Sequence, residues 1–100
     1  MNANLENMTP GEILLEDYMK PLGLTQNGLA RALGVPPPRV NEIIHGKRVI
    51  TLDTSLRLGR YFGQSARFWL NVQTECDLRN AKQLMERVAR EVHPMAMVAP

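Results

Sequence analysis

The stretch QNGLARALGVPPPRVNEIIHG, Gln26 to Gly46, decides how the rest of the chain is read. Leu29, Ala30 and Leu33 are spaced i, i+1, i+4, and Val40, Ile43 and Ile44 are spaced i, i+3, i+4, so each set makes one apolar face at helical period. Gly34 follows the first set at once, where a left-handed, helix-ending conformation costs least in glycine. Between the two sets stand Pro36, Pro37 and Pro38. Each lacks an amide hydrogen and biases the residue before it away from helix. A helix absorbs that only in its first turn, where amides have no helical partner in any case. The second helix is therefore expected to begin around Pro36 to Pro38 and to end near His45, with Gly46 as its stop. Two short helices crossing over so tight a turn make a helix-turn-helix, whose second helix can enter a DNA major groove.

The flanks fit a helical frame around this pair. Thr9-Pro10-Gly11-Glu12 is a helix start, with Thr as N-cap, Pro at the first position and Glu closing a capping box. That helix is expected to run to about Lys20, where Pro21 forbids continuation, with Ile13, Leu14, Tyr18 and Leu15 or Met19 turned inward. Thr25 caps the helix from Gln26 to about Leu33. Thr51 caps one from Leu52 to Phe62, ended by Gly63, and Ser65 caps another containing Phe68, Trp69, Val72 and Cys76. Ala81, Leu84, Met85, Val88 and Val92 then repeat at helical period, as a separate amphipathic helix or a continuation, until Pro94. No segment alternates with period two. The expected fold is all-α with five or six helices: a tail over 1–8, a domain over 9–76, a C-terminal helix over 77–93 for dimer or partner contact, and a fraying end over 94–100.

One hundred residues suit one domain, and the composition, 44% hydrophobic and 22% charged, is that of an ordinary globular chain. No apolar run approaches a membrane span and the N-terminus has no signal pattern, so no membrane partner and a cytoplasmic location are expected. Cys76 is the lone cysteine, which excludes an internal disulfide and leaves no cysteine pair for a metal site. His45 and His93 are far apart, no paired carboxylates have suggestive spacing, and no glycine loop is shaped for phosphate. No enzyme activity, metal or cofactor is expected. The overall charge of +2 is small, but its distribution is uneven. Residues 1–24 carry a net −3 (Glu6, Glu12, Glu16 and Asp17 against Lys20), whereas residues 36–60 carry +3 (Arg39, Lys47, Arg48, Arg57 and Arg60 against Glu42 and Asp53). A basic segment that begins at the second helix is the footprint expected of phosphate binding, although a merely solvated helix face gives the same count.

The pattern Gln26-x-x-Leu29-Ala30-x-x-Leu33-Gly34-Val35, followed by Val40-Asn41-x-Ile43-x-x-Gly46, resembles the lambda-repressor-like (XRE, Cro/C1) helix-turn-helix family. PGEIL (10–14), LGLTQ (22–26), NEIIHGKR (41–48), IT-x-DT (50–54), LRLGRYFG (56–63) and FWLN-x-Q (68–73) extend the match over roughly residues 8–80 and make it similar to the HigA-type (VapI-type) antitoxins of bacterial toxin–antitoxin operons. The resemblance implies a homodimer that binds a palindromic double-stranded operator, represses its own operon and neutralises a HigB/RelE-like mRNA-cleaving toxin. Two other functions remain open on the sequence: a stand-alone repressor without a toxin, and an adaptor whose helix-turn-helix binds only protein.

The candidate DNA-contacting residues are Gln26, Pro37, Pro38, Arg39, Asn41, Glu42, His45, Lys47 and Arg48. Gln26 opens its helix and can give its amide to a phosphate, as a Gln there does in the family; otherwise it is an exposed helix-start residue. Arg39 suits bidentate pairing with guanine O6 and N7. Asn41 can pair with adenine, bond a phosphate, or make a local hydrogen bond. Glu42 can accept from a cytosine amino group or pair with Arg39 or Arg48. Lys47 and Arg48 most simply grip phosphates, and His45 belongs at the rim. Pro38 departs from the polar or basic residue common at that place in the family, which leaves a thymine methyl as its contact. Phe68, Trp69 and Val72 are the candidates for a dimer interface; the adjacent aromatics face about 100° apart on a helix, so one can enter the core and one a partner copy, or both can enter one core. The acidic face Glu12, Glu16 and Asp17 is either solvated or the meeting place for a basic toxin.

Overall fold

A computed structural model describes residues 8–96 as six helices, with no strand among the described residues. The first helix, α1, is continuous but changes pitch: an α-helical turn over Pro10–Ile13, a π-helical segment over Leu14–Met19 and a last α-helical turn over Lys20–Leu22. It is followed by α2 (Gln26–Leu33), α3 (Pro37–Ile44), α4 (Leu52–Phe62), α5 (Ala66–Arg79) and α6 (Lys82–Glu91).

Side-chain caps set the starts. Thr9 and Glu12 form a reciprocal capping box, with the Glu12 amide donating to Thr9 Oγ1 over 3.1 Å and the Thr9 amide to Glu12 Oε1 over 2.8 Å. Thr25, Thr51 and Ser65 accept from backbone amides in the first turns of α2, α4 and α5. Gly23, Gly34, Gly46 and Gly63 all have φ near +70°, the left-handed stop that lets each chain segment leave its helix.

Helix α1 passes Pro21 instead of stopping at Lys20. The π segment explains this: the Lys20 amide bonds Leu15 O, five residues back. The widened turn relieves the clash between a proline ring and the carbonyl four residues earlier, and Pro21 then falls in the first turn of renewed α-helix. A second difference lies at Asn80–Ala81, where the chain breaks between α5 and α6 and the Asn80 side chain donates to Cys76 O over 3.1 Å. The expected boundary at residue 76 thus falls inside α5. Met8 does not belong to a loose tail: it is buried, and its carbonyl accepts from Arg79 Nη2 over 2.9 Å. The remainder of the expected N-terminal tail, 1–7, and residues 97–100 lie outside the described residues; residues 94–96 are exposed and irregular.

The core joins α1 to α5. Leu14 and Met19 of α1, Leu29 and Ala30 of α2, Val40 and Ile43 of α3, Leu58 of α4 and Trp69 of α5 pack into one cluster. At its edge Trp69 Nε1 donates to Gln64 Oε1 over 2.9 Å, and Gln64 Nε2 donates to Tyr18 OH over 2.6 Å. The buried indole and a half-buried phenol are both satisfied, as polar groups next to an apolar core require. Helix α6 has no buried residue. The molecule is accordingly elongated, 56 × 25 × 25 Å.

Helices α1 and α3 approach closely at Gly11. A Cβ built on Gly11 would overlap the Ile43 carbonyl oxygen and come within 2.8 Å of Ile44 Cα. Only glycine lets the first turn of α1 lie against the end of α3 this closely. Gly11→Ala should therefore unfold far more readily than the parent chain, with a loss of about 3 kcal/mol, at the severe end for an overpacked site. Urea denaturation followed by circular dichroism measures it; a loss under ~0.5 kcal/mol would mean that the helices do not approach in this way.

Candidate nucleic-acid interface

Helix α3 is held by its apolar side and shows its polar side. Val40, Ile43 and Ile44 are buried, while Pro37, Pro38, Asn41 and His45 are exposed and Arg39 and Glu42 half-buried. The proline run is accommodated as the spacing predicts: Pro36 is the N-cap with extended backbone (φ −62°, ψ 141°), and Pro37 and Pro38 fill the first two helical positions. The next amide, of Arg39, turns back to Pro36 O over 3.0 Å. No backbone donor is left at this helix start, so whatever the N-terminal end of α3 recognises must be met by side chains.

The structure brings Gln26 and Asn41 together. Asn41 Nδ2 donates to Gln26 Oε1 over 3.0 Å, which ties the start of α2 to the middle of α3. Gln26 keeps its own NH2 for an external acceptor, and Asn41 keeps its side-chain oxygen for an external donor. Of the alternatives open for Asn41, a protein hydrogen bond is realised in the free chain, with a partner fifteen residues away. His45 Nδ1 lies 2.9 Å from Asn41 O; a carbonyl can only accept, so Nδ1 is the donor of this contact.

Ion pairs organise the basic side chains. Glu42 Oε1 accepts from Arg48 Nε over 2.7 Å, so in the free protein its ion-pair alternative is the one formed. Lys47 is exposed and its ammonium has no partner among the described residues. Arg39 Nη1 stands 3.7 Å from Asp53 Oδ2. The same carboxylate accepts from Arg57 Nε over 2.9 Å, while Arg57 Nη1 donates to Leu33 O over 2.9 Å. Arg57 thus fastens the turn between α2 and α3 onto α4.

Several residues of this surface escape the sequence reading. Asp53 and Arg57 are spaced i, i+4, a legible helix pair, but their reach to Arg39 and Leu33 is tertiary. Asn27 and Arg31, on the polar side of α2, line a hollow with Val35 and Pro37; their i, i+4 spacing opposite Leu29 and Leu33 was the available signal. At the other candidate surface, Trp69 is 0% exposed and Phe68 is 38% exposed. The indole packs on Tyr18 and edge-on to Phe68, and Val72 is half-buried against the core. Of the two places open to the aromatic pair, Trp69 takes the core of its own chain. Only Phe68 of the aromatic pair presents an accessible face. The described residues bring together no group of three or more His, Cys, Asp or Glu that could hold a metal ion, and no described helix is long and apolar enough to cross a membrane.

Known proteins share this arrangement. A helix-turn-helix family model matches residues 15–69. Virulence-associated protein I of Dichelobacter nodosus is 58% identical over 74 residues, 74% of this chain and 68% of that protein. Antitoxin HigA-1 of Vibrio cholerae is 33% identical over 85 residues, 85% of this chain and 80% of its own. Among solved structures, the Pseudomonas aeruginosa antitoxin HigA with the higBA promoter superposes with a TM-score of 0.80 at 38% identity, covering 88% of this chain and 97% of that one.

Proposed function

Since the chain belongs to the helix-turn-helix family, in the company of HigA- and VapI-type regulators, we propose that it is an antitoxin that binds operator DNA as a dimer, represses its own operon and neutralises a HigB/RelE-like toxin. One observation carries the DNA part. Helix α3 is seated by Val40, Ile43 and Ile44 with its polar side outward, and Lys47 and Arg48 follow it directly. In the major groove, Arg39 reads a guanine edge, while Asn41 and the outward faces of Pro37 and Pro38 meet neighbouring bases. Gln26, Lys47 and Arg48 hold phosphates on either side. Glu42 keeps Arg48 directed along the groove edge, and His45 marks the rim.

Dimerisation is supported by the uncovered apolar strip at the end of the chain. Leu78, Leu84, Met85, Val88 and Val92 are all exposed; Leu84, Met85 and Val88 share one side of α6 at helical spacing, and Val92 follows at its C-cap. A second copy would cover this strip and set two α3 helices about one DNA turn, ~34 Å, apart. Phe68 adds an accessible ring. The toxin part leans on family membership and on the acidic residues Glu16 and Asp17, which are exposed and complementary in charge to a basic nuclease.

Three outcomes are expected. Footprinting on the DNA upstream of the gene should show protection of a palindrome; Arg39→Ala should cost about 1–3 kcal/mol and relax specificity, while Lys47→Ala should weaken all sequences alike and reduce the salt slope by about one. Operator binding untouched by both substitutions would reject the groove assignment. By light scattering the parent should be a dimer at micromolar concentration, and a Leu84→Glu, Val88→Glu double variant should be a monomer; a monomeric parent rejects the dimer. Finally, co-expression with the neighbouring gene should rescue growth and co-purify both proteins, whereas a neighbour that is harmless alone would make this a repressor without a toxin.

A further inference from the structure

The carboxylate of Asp53 sits where three elements meet, and its two arginine partners contact it differently. Arg57 donates a true hydrogen bond from Nε over 2.9 Å, and its Nη1 is anchored in turn on Leu33 O. It also lies over the turn itself, since a Cβ on Gly34 would come within 3.1 Å of Arg57 Nη1. Asp53 is therefore a negative charge fixed in position by a clamp on the helix-turn-helix. Arg39 approaches that charge only to 3.7 Å, beyond hydrogen-bond reach. The attraction restrains the guanidinium without consuming any of its five donors. Arg39 is also the more sheltered member of the pair, its side chain 29% exposed against 58% for Asp53.

We propose that Asp53 is a positioning residue for DNA specificity: it holds the Arg39 guanidinium in the orientation that reads its base, through a charge contact that leaves the bidentate edge free. The proposal rests on the groove assignment of α3. A long side chain restrained before binding loses less rotamer freedom on docking, and more of the binding energy then depends on the correct base. Asp53 also offsets one arginine charge beside the groove, so Arg39 contributes less to indiscriminate phosphate attraction. Asp53 thus sharpens discrimination at one base pair and leaves general affinity for DNA nearly unchanged.

The test measures binding of the full chain to its operator and to a panel carrying every single base-pair change, at two salt concentrations. Arg39→Ala identifies the base pair read by Arg39, where discrimination should fall about 5- to 150-fold. Asp53→Asn should lower discrimination at that same base pair by about two- to fivefold, the range of a partly exposed ion pair. Its affinity for unrelated DNA should be unchanged or slightly raised. The Asn side-chain oxygen can still accept from Arg57, so the thermal midpoint should stay near the parent's. Asp53→Asn should have no further effect in the Arg39→Ala background, because its influence passes through that arginine. Arg57→Met serves as control for a loosened clamp and should weaken binding to all sequences together.

The inference is overturned if Asp53→Asn leaves the panel unchanged, weakens every sequence equally as Arg57→Met does, or acts additively with Arg39→Ala. If the parent protein binds no DNA, the groove assignment falls and takes this with it. If the parent binds and Arg39→Ala alters one base pair while Asp53→Asn does not, only the role of Asp53 falls.

Discussion

The seat of α3 against the first turn of α1 is the constraint on which the rest of the structure depends. An eight-residue helix is too short to be stable alone in water, so α3 exists because Val40, Ile43 and Ile44 are covered. The cover is close because Gly11 has no side chain. Around that contact the other fastenings make sense. The capping box at Thr9 fixes the turn that carries Gly11. The Arg79 guanidinium holds the carbonyl of Met8 just before it, and Gln73 Oε1 accepts the Ile50 amide at the far end of the basic loop. Arg57 closes the opposite side at the α2–α3 turn. A helix that is to enter a groove of fixed width must be held relative to its own domain, and here it is held at both ends and along its back.

The proline run shapes what α3 can say to a ligand. Three prolines in succession lower the entropy of the unfolded chain, and their positions before and within the first helical turn avoid any lost helical bond. They also strip the helix start of donors. An anion that would normally be cradled by free amides there finds none at Pro37 or Pro38, and the Arg39 amide is occupied by Pro36. The start of α2 is different, because the Gln26 and Asn27 amides precede the first helical acceptor and Gln26 extends its own NH2 beside them. Amides open to a phosphate therefore lie at the start of α2 and not at Pro37 to Arg39, and on the proposed reading α3 meets bases through its side chains alone.

Caps, stops and apolar period were legible because each is a local property. Thr9, Thr25, Thr51 and Ser65 cap helices, glycines end four segments, and Leu29, Leu33, Val40, Ile43 and Ile44 are buried where their spacing puts them. What was not legible depends on distance or on competition. Pro21 signals a stop, but a π turn upstream removes the clash, and nothing local in Leu14–Met19 announces a change of pitch. Phe68 and Trp69 are equivalent by hydrophobicity; the indole goes inside because Gln64, five residues away, supplies an acceptor for its N–H and passes the network on to Tyr18. The break at Asn80 interrupts an apolar pattern that continues across it. At the interface, Arg39, Asn41 and Glu42 could be named from their side of α3. Arg48 could be named with Arg39 as a partner for Glu42, whereas Asp53 beside Arg39 and Gln26 beside Asn41 follow only from the fold.

Helix α6 shows why a chain of this size need not be energetically complete. Its ten residues bury none of their own side chains, and an isolated helix of that length gains too little from its backbone bonds to repay the ordering of its residues. Leu84, Met85 and Val88 nonetheless keep a helical period on one side, and exposed Val92 follows at the C-cap. A strip with that spacing is stabilised only when something covers it, and a second copy of the same strip offers a self-complementary surface. The proposed dimer would therefore do two things with one contact: it would supply the burial that α6 lacks within its own chain, and it would fix the separation of the two α3 helices. On that view the spacing of operator half-sites is set at the far end of the molecule from the residues that read them.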